Sequence, residues 1–128
     1  MKFLDPINKY SFLLLRVLAG LMFSFHGVQK LFGILSQYPA PAFGTQLWFG
    51  GLIELVCGLL IAVGLFSRPA AFLASGTMAV AYIQYHWKFQ FGEAFFPAIN
   101  NGEAALLYCL IFFYLACRPD EESRQSIA

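Results

Sequence analysis

The chain has 128 residues, enough for one domain. Hydrophobic residues make up 59 % and charged residues only 12 %, against roughly 25 % charged in soluble domains, so an ordinary soluble domain and a disordered tail are both excluded. A net charge of +1 with no Lys/Arg cluster argues against a nucleic-acid partner, because neutralising a phosphate backbone takes clustered cations.

Crossing a bilayer takes roughly 20 mostly apolar residues. Four windows approach that length, at about 10–32, 46–66, 69–87 and 103–117. The chain, 1–128, therefore reads as a single membrane domain: all-α, an integral membrane four-helix bundle. Lys2 and Lys9 ahead of the first apolar run resemble the start of a secretory signal. That run is too long for one, however, and has no small-x-small cleavage site. Tyr38-Pro39-Ala40-Pro41 separates the first two windows by a real loop, since two prolines one residue apart forbid a continuous helix. Ser67-Arg68-Pro69 is a tight turn with Pro69 suited to a first helical turn, so windows two and three form an antiparallel hairpin. Residues 88–102, with Gly92, Pro97, Asn100-Asn101-Gly102 and four phenylalanines, read as a loop dipping into the membrane interface.

Lys2, Lys9, Arg68, Arg118 and Arg124 then fall on one side and Lys30 and Lys88 on the other. The Lys/Arg bias puts both termini in the cytoplasm, although Asp120-Glu121-Glu122 makes the tail acidic. The expected location is the inner (plasma) membrane, multi-pass, with the lipid bilayer as the first partner.

Ionisable residues within a span cost on the order of 3 kcal/mol each, so each needs a partner or a function. On window one, at 100° per residue, Arg16, His26 and Lys30 fall within an arc of about 80°, on a face with Gly20, Phe23 and Gly27 that is expected to look inward. On window two, Gly50, Glu54 and Gly58 are spaced by four with Gly51 beside them. Such glycines admit a neighbouring helix closely, and Gly27, Gly51 and Gly58 are assigned to helix packing. His26, Lys30, Glu54, His86 and Glu103 fall in the same non-cytoplasmic half, where a site is expected. Arg16 lies nearer the cytoplasmic end, with a side chain long enough to reach towards Glu54 or to snorkel outward.

His26 and Glu54 are the candidate proton-handling, catalytic pair, histidine being the side chain that titrates nearest neutrality. Arg16, Lys30, His86 and Glu103 are the candidate ligand-binding groups, with Arg16 or Lys30 balancing the carboxylate. The plainer alternative for each is an interface anchor or a buried structural pair that orients helices. No metal is expected, since no Glu-x-x-His or His-x-x-x-His spacing occurs. Cys57, Cys109 and Cys117 read as inert core residues. Ala71, Ala74, Met78 and Ala81 form a small-residue seam that can serve either the fourth window, through its Phe112-Phe113-Tyr114 end, or a second chain. Packing complementarity favours the fourth window, and a homo-oligomer stays open. The Phe12, Leu15 and Met22 side of window one is left for lipid or another helix.

These residues assemble into a pattern. Arg16-x3-Gly20, Phe23-x2-His26-Gly27-x2-Lys30-Leu31, then Gly50-Gly51-x2-Glu54-x3-Gly58-Leu59-Leu60-x3-Gly64-Leu65-x2-Arg68-Pro69-Ala70-Ala71, and Asn101-Gly102-Glu103 together resemble the DoxX family over residues 10–119. The matching positions are Arg16, His26, Gly27, Lys30, Gly51, Glu54, Gly58 and Arg68. The resemblance implies a small four-helix membrane protein of the kind found in bacteria and archaea. Some such relatives are subunits of quinone-linked thiosulfate oxidoreductases, and others are associated with thiol or oxidative-stress complexes.

Two function classes follow. In one, the protein is the membrane component of a quinone-linked or thiol/sulfur redox system, at most an oxidoreductase subunit. It has no evident cofactor motif, a quinone as the candidate ligand, and a redox or sulfur-handling protein subunit as partner. In the other, it is a non-catalytic assembly subunit whose polar residues only fix helix packing. A transporter is disfavoured by the lack of an internal repeat.

Overall fold

A computed structural model describes residues 1–119. Arg124 and the acidic stretch from Asp120, both used in the orientation argument, lie outside the described residues. Helices joined by turns and loops make up the described residues, with no strand among them. A 3-10 turn at Lys2–Ile7 leads into α1 (Asn8–Phe32). α2 (Gln46–Val63) starts at Thr45, whose hydroxyl accepts a hydrogen bond from the Trp48 amide and so satisfies one of the free donors of the first turn. It stops at Gly64, where the backbone turns left-handed at φ 79°, a conformation that only glycine adopts without strain. α3 (Ser67–Ala81) follows after two further residues and continues as a π-helical turn, Tyr82–Trp87. A short α4 (Pro97–Asn100) precedes α5 (Glu103–Cys117).

Two stretches, Lys2–Phe32 and Gln46–Val63, are long and apolar enough to cross a membrane by length and composition. α5 is apolar but only 15 residues long. α3 with its π turn is interrupted by Ser75, Thr77 and Gln84, which lower its hydropathy below that of a typical span.

The helices pack as two pairs, α1 on α2 and α3 on α5, joined through α2 and α3. The α1–α2 seam is built on glycines seven residues apart in both helices, Gly20 and Gly27 facing Gly58 and Gly51. A Cβ at Gly20 would stand 2.6 Å from the Gly58 carbonyl, and one at Gly58 would stand 2.6 Å from the Gly20 carbonyl. A Cβ at Gly27 would press on the Leu55 amide and lie 2.6 Å from the Gly51 carbonyl. The pairing makes the two helices antiparallel and sets their backbones in contact. Gly50, expected in this stripe, is not part of it: a Cβ there would meet nothing within 4 Å.

The second pair uses the alanine seam. Ala71, Ala74 and Met78 are buried with Phe112 and Leu115 in one core, and the Ser75 hydroxyl donates 2.8 Å to the Cys109 carbonyl. Phe113 and Tyr114, expected in the same groove, are exposed, because one helix can present only one of three consecutive side chains to a neighbour. Phe23 of α1 meets this pair, its ring 4.7 Å from Phe112 and 5.5 Å from Tyr108. Phe12 is not left for lipid: it is buried beneath Arg118, whose guanidinium lies 5.1 Å from its ring. Among the cysteines only Cys57 is buried; Cys117 ends α5 in the open.

Gly58→Leu should therefore force α1 and α2 apart and cost about 3 kcal/mol or more, read as a lower melting temperature in detergent. Gly50→Ala, one residue off the seam, should melt like the native protein.

Candidate functional site

The seam determines where the charges go. A Cβ at Gly51 would stand 2.8 Å from the Lys30 Cβ, so the Lys30 side chain starts against the α2 backbone and runs along it until its Nζ reaches Glu54 Oε1 at 2.6 Å. Glu54 is 2 % exposed, whereas the Lys30 side chain remains 36 % exposed. One partner is enclosed and the other keeps contact with the surroundings near the end of α1, as long cationic side chains do. The second carboxylate oxygen of Glu54, Oε2, is buried and accepts no hydrogen bond among the described residues.

Glu54 and Lys30 stand on the wall of a cavity of about 840 Å3 between the two helix pairs, within the roughly 300–1,000 Å3 of small-molecule sites. His26, Gly50, Gly76, His86 and Tyr108 also line it. Its lining includes exposed apolar residues on α2 and α3, Phe49, Phe72, Leu73 and Val80, and exposed residues on α1 and α5, His26 and Ala104, so it is open to the surroundings. Gly50 and Gly76 contribute only backbone there, and a Cβ at either would meet nothing within 4 Å.

His26 sets its ring edge-to-face on Tyr108, 6.0 Å between centroids, on the same cavity wall as Glu54. The sequence places it deep in the structure, yet it is exposed on the flank of α1, because the inward positions of that turn are taken by Phe23, Ser24 and Gly27. His86 comes from the π turn, where its Nδ1 lies 3.2 Å from the Asn100 carbonyl. Asn100 ties the floor of this region together, donating from Nδ2 to the Tyr82 hydroxyl at 3.2 Å and accepting from the Gly102 amide at 2.8 Å. Gln46 at the start of α2 donates 2.7 Å to Gln84 of the π turn.

Two expected members stand elsewhere. Arg16 is buried, but its guanidinium packs against Gly64, within 2.9 Å of where a Cβ would be. It sits at the C-terminal end of α2, where a cation meets the negative end of the helix dipole. The cation that balances Glu54 is Lys30. Glu103 opens α5, exposed, in the first turn that favours an acidic side chain, and does not line the cavity. Tyr108 is a member that sequence reasoning misses. Its signal is present: a tyrosine in the middle of an apolar helix carries a hydroxyl that needs a partner, and Tyr108 Oη is buried with none among the described residues. Among the described residues no group of three or more His, Cys, Asp or Glu side chains gathers.

Apolar helix exteriors around a buried carboxylate held by a partly exposed lysine fit a small helical protein of the membrane type. The chain belongs to the DoxX family of membrane proteins, whose sequence profile matches residues 11–87. A protein of Haemophilus influenzae described as an uncharacterized protein is 37 % identical over 118 residues, covering 87 % of this chain and 84 % of its own. No solved structure matches the chain significantly.

The two halves of the ion pair are unequal, and their removal should show it. Lys30→Met leaves a buried carboxylate without its cation and should cost about 3–5 kcal/mol. Glu54→Gln leaves a lysine that can turn to the surroundings and should cost only about 1–2 kcal/mol. Circular-dichroism melts in one detergent compare the two, and the double variant Lys30→Met/Glu54→Leu should recover most of the loss.

Proposed function

We propose that this DoxX protein is a multi-pass inner-membrane subunit that receives a small lipid-soluble molecule of quinone type in the cavity between its helix pairs. In this reading it serves as the membrane component of a redox system. The observation that carries this reading is the Lys30–Glu54 pair at the wall of an aromatic-lined cavity whose rim includes exposed apolar side chains. Ligand pockets have this make-up, apolar walls with a few placed polar groups.

The exteriors of the helices support a reading with four crossings. Leu14, Leu18 and Leu21 on α1, Leu52, Val56 and Leu59 on α2, Phe72, Leu73 and Val80 on α3, and Leu107, Leu110 and Phe113 on α5 are all exposed. Apolar surface on every helix is costly in water and suits lipid. The aromatic group of Trp87, Phe89, Phe91 and Phe95, with rings 5.0–6.4 Å apart, fits the interfacial belt at the outer end. Lys2, Lys9, Arg68 and Arg118 lie at the opposite end, a Lys/Arg bias that supports a cytoplasmic side for both termini. The Arg68 Nε there donates 3.0 Å to the Ala116 carbonyl and fastens the end of α5 to the α2–α3 turn.

Within the site His26 and Glu54 are the groups able to take or give a proton, Lys30 holds the carboxylate, and His86 closes the outer end. A separate redox or sulfur-handling subunit exchanges electrons with the bound molecule. The second reading, an assembly subunit, is favoured by one observation: the same ion pair bridges α1 and α2 and by itself would fix their packing.

Gly50→Trp separates the readings, since it fills the cavity from a position with no neighbour to displace. Solvent extraction of protein purified gently from native membranes should recover quinones with the native chain and at least about tenfold less with this variant, at unchanged melting temperature. Equal recovery, or none from either, favours the assembly role. For topology, a periplasm-active reporter fused to the C-terminus should stay silent, and strong activity there would reverse the orientation.

A further inference from the structure

The cavity wall carries two buried polar atoms that find no hydrogen-bonding partner among the described residues, Glu54 Oε2 and Tyr108 Oη. Their chemistry is not symmetric. The carboxylate holds Lys30 through Oε1, and its other oxygen has lone pairs only, so it requires a donor. The Tyr108 hydroxyl both donates and accepts. A quinone head offers only carbonyl oxygens. It satisfies Tyr108 but sets lone pairs against Oε2, leaving a buried charged acceptor without its bond. A hydroquinone head carries O–H groups, donates to Oε2 in a charge-assisted bond and accepts from Tyr108.

We propose that the cavity selects the reduced, hydroxyl-bearing form of its ligand, binding a hydroquinone in preference to the corresponding quinone, with Glu54 Oε2 as the acceptor and Tyr108 as the second contact. This rests on the reading of the cavity as a quinone-type site and specifies which redox state it holds. A lipid headgroup with an ammonium or hydroxyl could supply the same donor, so the medium has to be chosen to remove it.

The test uses the full chain in nanodiscs of phosphatidylcholine, whose headgroup has no hydrogen-bond donor, kept free of oxygen and titrated calorimetrically with durohydroquinone and with duroquinone. The native protein should bind the hydroquinone about tenfold more tightly, the worth of one hydrogen bond to a charged group. Glu54→Gln, whose amide can donate to a carbonyl, should bring the ratio to one or below, and Tyr108→Phe should weaken hydroquinone binding several-fold without change of melting temperature. Equal or tighter binding of the quinone by the native protein overturns the proposal and leaves the cavity reading intact, as does a ratio unchanged in Glu54→Gln. Binding of neither form, or binding that Gly50→Trp does not weaken, overturns both. Repeating the titration in phosphatidylethanolamine distinguishes the lipid source: a large loss of hydroquinone affinity there identifies the headgroup as the natural donor and overturns the hydroquinone assignment.

Discussion

The backbone contact between α1 and α2 is the constraint on which the rest depends. Glycines at seven-residue spacing on both helices let the chains touch where any side chain would hold them apart. Inside lipid there is no hydrophobic force to press helices together, so close van der Waals contact and polar links must do it. The seam supplies the first and positions the second, because Lys30 starts against the α2 backbone at Gly51 and meets Glu54 directly. A wider spacing would leave a carboxylate alone in an apolar interior, a state that costs several kcal/mol. The ion pair is thus a consequence of glycine placement before it is a feature of any chemistry.

The second pair, α3 with α5, is held differently, by alanines against Phe112 and by one hydroxyl-to-carbonyl bond. Small residues bring these helices together too, but aromatic rings supply the bulk. The two pairs share the tight Gly64–Ser67 turn at one end, and at the other Gln46 of α2 bonds Gln84 of the π turn. The space between is the cavity. It is lined from the Gln46 end of α2 to the start of α5, away from the short turn.

What the sequence makes legible is what depends on periodicity and on local breaks. The helical character, the break at the Ser67-Arg68-Pro69 turn and the identity of Gly27, Gly51 and Gly58 as packing positions all come from spacing. Placement along the helix axis does not. Arg16 and Lys30 share a face, yet fourteen residues at 1.5 Å rise put them about 21 Å apart, so one ends at Gly64 while the other meets Glu54. The same limit explains Gly50. A spacing of four drifts by about 40° per step, and the true stripe follows the seven-residue interval through Gly51 and Gly58. The arc that turns His26 inward is too broad to separate the seam from its flank. Tyr108 escapes notice because its importance comes from where α5 sits in space, which no local pattern encodes.

The π turn at Tyr82–Trp87 gives the outer wall a reading frame of its own. A π turn holds one more residue than the α-helical turn it replaces, so side chains beyond it are rotated by about 100° from where an uninterrupted helix would carry them. Within the turn itself His86 lies beside the Asn100 carbonyl and Gln84 faces Gln46. Losing a single residue anywhere in this turn would restore regular winding and swing the whole outer cluster round the axis. The length of this short stretch, more than the identity of any one side chain in it, therefore decides which groups the mouth of the cavity presents.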